Sequence, residues 1–185
     1  MAQLDSNYTC PWWLLFTFDN PMRKLMHNPN NILKPYVSPG NTVLDVGCGM
    51  GYFSMELARL VGPTGKVIAA DLQPQMLAGL KKRAKNAGLQ SIIQPHLCTP
   101  SKIGVAEPVD MIFAFWMVHE VSNRKAFLQE LHSMLKPDGI LLIVEPVIHV
   151  TRKNFVATLD LGCELGFIEV SHPRVAISRS VVFLK

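Results

Sequence analysis

Val43-Leu44-Asp45-Val46-Gly47-Cys48-Gly49-Met50-Gly51 decides the fold of this chain. An apolar run suited to a buried strand stops at a glycine-rich turn, and an amphipathic stretch, Tyr52 to Leu60, follows. A second apolar run, Val67-Ile68-Ala69-Ala70, ends on Asp71, 20 residues beyond Gly51. A strand, a turn without side chains and an acid at the tip of the next strand together form a pocket for the adenosine half of a cofactor. The glycines let the backbone approach a ligand, and the acid accepts hydrogen bonds from ribose hydroxyls.

Outward from this stretch, short apolar runs alternate with amphipathic ones, the mark of a parallel α/β fold. Strands are expected at Thr42–Val46, Lys66–Ala70, Ile92–Leu97, Met111–Phe115 and Ile140–Val144. Pro95 cannot donate to a ladder, which puts the third of these at a sheet edge. Helices are expected at Tyr52–Leu60, from Pro74 to Gly88, at Asn123–Leu135 and at Lys153–Leu165. Gly62-Pro63-Thr64-Gly65 breaks the first, Pro137 stops the third, and Gly166 ends the last. Asp138-Gly139 is expected to turn the chain into the fifth strand. The tail from Phe167 to Leu184 alternates as two strands joined near Pro173, too short a link for anything but antiparallel pairing.

The 185 residues favour one core, and 49% apolar with 17% charged content suits a globular chain. A net charge of +4 is too mild for a nucleic-acid footprint, so no nucleic-acid partner is expected. Cys10, Cys48, Cys98 and Cys163 are scattered and read as reduced thiols of a cytoplasmic protein. No signal peptide is recognisable, and Trp12 to Phe18 is too short for a bilayer, which needs about 20 residues.

The glycines alone suit a dinucleotide or a methyl donor. Asp45, two residues before Gly47, would repel a pyrophosphate and suits a ligand carrying an ammonium and a sulfonium. The third glycine is displaced to give GxGxG, Leu135-Lys136-Pro137-Asp138-Gly139 precedes the fifth strand, and a hairpin closes the chain. With these features the chain from Asn41 to Lys185 resembles the class I S-adenosylmethionine-dependent methyltransferases, particularly the small single-domain type. The resemblance implies a three-layer, Rossmann-like sandwich with a seven-stranded, mostly parallel sheet in order 3-2-1-4-5-7-6, strand 7 antiparallel. It implies S-adenosyl-L-methionine as co-substrate and a small-molecule acceptor. Asp45, Gly47, Gly49 and Gly51 would surround the amino-acid part of the donor, Asp71 its ribose, and Leu72 and Met76 its adenine. Where the family often has an acid after strand three this chain reads Leu97-Cys98-Thr99, so Thr99 or a backbone group would meet the adenine edge. Phe115 and Trp116 would stand beside the donor methyl as aromatic faces that tolerate a cation.

His119-Glu120 either orients or deprotonates the acceptor, or is a capping and packing pair. Position 123 is Asn, so HExxH is absent and no metal site is expected. Residues 1–40 form an arm whose Trp12-Trp13 and Phe16 cap the donor pocket, pack as an extra helix, or, with Arg23, Lys24 and His27, touch a membrane interface or partner weakly. Lys81, Lys82, Arg83 and Lys85 read as a solvated helix face. Cys48 and Cys98 are small fillers or a soft metalloid pair, and Glu145-Pro146 with His149 line the same sheet edge. Two other classes remain open. One is a module that holds the donor or its demethylated product without turnover; the other is a nicotinamide-dependent oxidoreductase.

Overall fold

A computed structural model describes residues 26–185. Helix α1 is Pro29–Leu33, α2 Ser54–Val61, α3 Pro74–Asn86, α4 Arg124–Met134 and α5 Arg152–Glu164. The strands are β1 Thr42–Val46, β2 Lys66–Asp71, β3 Ile93–Leu97, β4 Val109–Phe115, β5 Leu135–Pro146, β6 Ile168–Ser171 and β7 Ser178–Leu184. They form one seven-stranded sheet in the order β3-β2-β1-β4-β5-β7-β6. Neighbours from β3 to β5 are parallel, and β7 runs antiparallel to both β5 and β6.

The central strands β1, β2 and β4 are mostly apolar because both faces are covered. On one face Val43, Val67, Ala69, Met111 and Phe113 pack with Leu57 of α2 and Leu77 and Leu80 of α3. On the other, Leu44, Ile68, Ile112 and Ala114 pack with Leu128 and Leu131 of α4 and Phe155 of α5. Alternate residues of each strand thus serve opposite layers, and β1 registers Val43 on Val67 and on Met111. Leu33 and Val37, ahead of β1, belong to the first layer's core. Pro95 lies on the edge strand β3, as its missing N–H requires.

Two local expectations are corrected. The first long helix begins at Ser54, not Tyr52, because residues 50–53 complete the glycine turn before the helical ladder starts. Leu135 to Gly139 is not a turn ahead of the strand but the irregular start of β5. Pro137 bars helical geometry at Lys136, so α4 stops at Met134 and Leu135 already pairs with Val109. Asp138, at φ 61°, then lets the ladder resume at Ile140 opposite Met111. Lys136 Nζ holds Asp110 Oδ1 at 2.8 Å while Asp110 Oδ2 accepts the Thr42 N–H, tying this irregularity to the start of β1. Lys136 and Thr42 hold the Asp110 carboxyl below its ordinary range against a desolvation penalty.

The glycine turn is locked onto α3. Gly51 has φ +84°, and a Cβ there would lie 2.1 Å from Leu80 Cδ1, itself fully buried. Gly51→Ala therefore combines left-handed strain of about 1–2 kcal/mol with overpacking of about 1–3 kcal/mol. We expect urea denaturation to show a loss of about 3 kcal/mol, with an unchanged m-value.

Candidate active site at the carboxyl edge of the sheet

The carboxyl ends of β1, β2, β4 and β5 surround a cavity of about 320 Å³. Open α/β sheets bind ligands on this side, where strand order reverses between β1 and β4. The loop 47–50 forms its floor. Gly47 and Gly49 have φ of +71° and +54°, and the Gly49 N–H donates to Asp71 Oδ2 at 2.9 Å. The Gln73 N–H donates to Asp71 Oδ1 at 2.8 Å, so one carboxylate clamps the turns that follow β1 and β2. Burial raises the Asp71 carboxyl above the ordinary carboxylate range, and the N–H groups of Gln73, Gly49 and Leu72 draw it partly back.

Asp45, 3% exposed, accepts the Ser54 hydroxyl at 2.5 Å and also lines the cavity. Leu72 and the buried Met76 give it an apolar wall. Thr99 lines it too, but its hydroxyl donates to the Lys102 carbonyl and accepts the Lys102 N–H, a local pairing that turns the proton away from a ligand. On the far wall Phe115 and Trp116 stack at 5.2 Å between centroids. Trp116 has φ +56°, an unusual conformation for a bulky residue, and is held by its N–H to the Val144 carbonyl and its Nε1–H to Ser178 Oγ.

His119 and Glu120 line the cavity in a short 3-10 turn, Val118–Glu120. His119 Nδ1 lies 3.0 Å from Glu145 Oε2, and Glu145 Oε1 accepts the Val118 N–H. Burial opposes charge on His119, but the hydrogen bond and charge of Glu145, helped by Glu120, prevail over it and over Arg124 and lift its pKa above the ordinary histidine value.

The structure thus gathers Asp45, Gly47, Gly49, Asp71, Leu72, Met76, Thr99, Phe115, Trp116, His119 and Glu120 around one cavity. Gly51 is outside its lining and serves the packing on Leu80. Arg83 is not merely part of a solvated face: its Nη1 donates to the Met50 carbonyl and its side chain reaches the cavity. Two helical turns after Met76 on α3, it shares that residue's face, a spacing visible in the sequence. His27 is not an interfacial group but is 1% exposed, edge-on to Phe115 and Trp116, with Nε2 2.9 Å from the Ala176 carbonyl. Trp12 to Pro21, Arg23, Lys24 and Cys10 lie outside the described residues. Among the described residues no group of three or more His, Cys, Asp or Glu side chains could hold a metal ion, and no helix is long and apolar enough to cross a membrane.

The family model described as a methyltransferase domain matches residues 37–166, well over half of the chain. The chain belongs to the class I S-adenosylmethionine-dependent methyltransferase family. A methyltransferase of Aquifex aeolicus described as S-adenosylmethionine-dependent shares its structure with a TM-score of 0.84 and 26% identity, over 95% of this chain and 99% of that one. A TehB-like methyltransferase of Corynebacterium glutamicum has a TM-score of 0.72 at 19% identity over 94% of each chain, a likeness of fold. The ubiquinone/menaquinone biosynthesis C-methyltransferases UbiE of Klebsiella pneumoniae and Escherichia coli are 30% identical over 125 residues, 65% of this chain and 50% of theirs. The chain spans about half the length of these curated relatives.

Cys48 and Cys98 both line the cavity. Burial first, and then the charges of Asp45 and Asp71, push the Cys48 thiol well up, while burial, Asp71 and Glu130 push Cys98 up to about 12. Both are therefore thiols at neutral pH and poor nucleophiles. With Ellman's reagent at pH 8, peptide mapping is expected to find exposed Cys163 modified well before either of them; rapid labelling of Cys48 would contradict this.

Proposed function

We propose that the protein transfers the methyl group of S-adenosylmethionine to a small-molecule acceptor within this cavity. The observation that carries the reading is the pair of buried carboxylates, Asp45 and Asp71, on either side of a turn with no Cβ at Gly47 and Gly49. Such a wall disfavours a pyrophosphate and fits a ligand with an ammonium, a sulfonium and a ribose diol. Asp71, fixed by two backbone N–H groups, keeps lone pairs for the ribose hydroxyls. Asp45 with Gly47 and Gly49 would hold the amino-acid end, and Leu72 and Met76 the adenine faces. Because the Thr99 hydroxyl proton is engaged with Lys102, the adenine edge falls to backbone groups of the 98–103 loop.

When bound, the donor supplies a methyl group already activated by the sulfonium. The chain's task is then to align the partners and exclude water. Phe115 and Trp116 offer aromatic faces, which tolerate positive charge without anchoring it as a carboxylate would. His119 and Glu120 stand on the acceptor side of these rings, where they orient or deprotonate the acceptor. The described part of the segment before β1 reaches the aromatic wall of the cavity: His27 packs against Phe115 and Trp116, and the Tyr52 hydroxyl donates to the His27 carbonyl. Exposed Lys81, Lys82 and Lys85 form too small a patch for a nucleic-acid partner, and free Cys48, Cys98 and Cys163 suit the cytoplasm.

Isothermal calorimetry tests the reading. S-adenosylhomocysteine should bind and a nicotinamide dinucleotide should give no heat; the reverse would replace this function with an oxidoreductase. Tight product binding without transfer to any acceptor would favour a non-catalytic module. Asp71→Ala removes charge-assisted hydrogen bonds of about 1.5–3 kcal/mol, so affinity should fall by roughly 10- to 150-fold. Gly49→Val places a β-branched side chain at φ +54° and should abolish binding while the protein stays folded. Full binding by either variant would place the donor elsewhere.

A further inference from the structure

Behind His119, outside the cavity's own lining, lies a buried carboxylate that the donor does not need. Glu145, on β5, is 3% exposed and divides its two oxygens between the Val118 N–H at 3.1 Å and His119 Nδ1 at 3.0 Å. The first bond fixes the carboxylate against the backbone just ahead of the histidine. The second fixes the ring. A carboxylate can only accept, so Nδ1 carries the proton and the neutral imidazole keeps its lone pair on Nε2. Nε2 makes no hydrogen bond among the described residues, and His119 lines the cavity. The ring is braced on one face by His149, whose plane is 10° from parallel at 5.6 Å between centroids.

Resting on the function proposed above, we propose that Glu145 is a positioning residue that sets His119 as the base of the reaction, Nε2 taking a proton from the acceptor. Glu120 is then a source of charge near the ring and not the base. The acceptor accordingly belongs to the class that must lose a proton on methylation, such as a hydroxyl, an enol carbon or a primary or secondary amine. The acceptor's proton goes to Nε2 and its freed electron pair forms the new bond to the methyl carbon. The pair of the broken carbon–sulfur bond stays on sulfur, and His119 later returns its proton to water. A tertiary amine or a thioether has no such proton and gains nothing from this arrangement.

The charged neighbours pull in both directions, and the carboxylates prevail. Glu145 from β5 and Glu120 from the same turn favour the imidazolium, while burial and Arg124 at the start of α4 oppose it. His149 packs its ring on the face of His119. A base whose conjugate acid is stabilised is the stronger base once deprotonated, and the rate should rise with pH through the His119 midpoint. Removing the Glu145 charge moves that midpoint down.

Nitrogen NMR of histidine-labelled protein provides a test that needs no turnover. The wild-type protein should show His119 as the Nδ1–H form, titrating above an ordinary histidine. Glu145→Gln should lower the midpoint by about one pH unit and mix the two tautomers, whereas Glu145→Asp should restore part of both effects. A wild-type Nε2–H form, or a midpoint that Glu145→Gln leaves in place, would overturn the proposal. With radiolabelled donor, a phenol and a tertiary amine serve as acceptor probes. Transfer to the phenol that His119→Gln slows by roughly 10²- to 10⁴-fold supports a base; transfer to the tertiary amine, undiminished by that variant, overturns it. Failure of S-adenosylhomocysteine to bind the wild-type protein would remove the donor reading but would leave the tautomer result standing, so the two failures are distinguishable.

Discussion

One carboxylate joins the parts of this site. Asp71 ends β2, yet its oxygens take the N–H groups of Gly49, after β1, and Gln73, before α3. Those donors belong to loop backbone that has no ladder partner, and leaving either one buried without an acceptor would cost about 1–3 kcal/mol. The bonds hold two turns in one geometry and make a cavity floor out of backbone. Gly51, packed against Leu80, fixes the same turn from behind. Neither contact works without the parallel pairing of β1 and β2, which sets Val46 beside Ala70 and so brings the two strand ends level.

The central strands were legible because their apolar runs carry a physical signature of burial on both faces. The runs at 43–46, 67–70 and 111–115 are apolar apart from Asp45, so they read as buried strands. Pro95 marked an edge and the short link at Pro173 forced antiparallel pairing, and both outcomes appear in the sheet. The start of β5 was not legible. Lys136-Pro137-Asp138-Gly139 has the composition of a free turn, and what makes it strand is a contact with Asp110, 26 residues away from Lys136. Propensity is local; that ion pair is not.

Within the candidate site, backbone-determined features were easier to read than side-chain ones. Gly47, Gly49 and Asp71 announced themselves through φ requirements and position at strand tips. Glu145 could be placed at the sheet edge from sequence, but not its bond to His119, since that depends on how the 118–120 turn folds back over β5. His27 lay beside Arg23 and Lys24 and looked like part of a basic surface, whereas its ring packs edge-on against both Phe115 and Trp116. Tertiary packing decided it. Arg83 was hidden within a lysine-rich run, although its spacing from Met76 pointed to the cavity side of α3.

On the function proposed above, the Asp71 clamp serves the half of the cavity that grips the donor and the Glu145 tether serves the half that reacts, while Trp116, at positive φ, lines the same cavity. The central claim is that the gripping half is complete before any ligand arrives. A crystal structure of the protein with S-adenosylhomocysteine measures this directly. The account predicts ribose hydroxyls on the Asp71 carboxylate, with the Gly49 and Gln73 bonds to it intact and the 47–51 backbone unmoved. A ligand bound away from Asp71, or a turn that opens to admit it, would contradict the account.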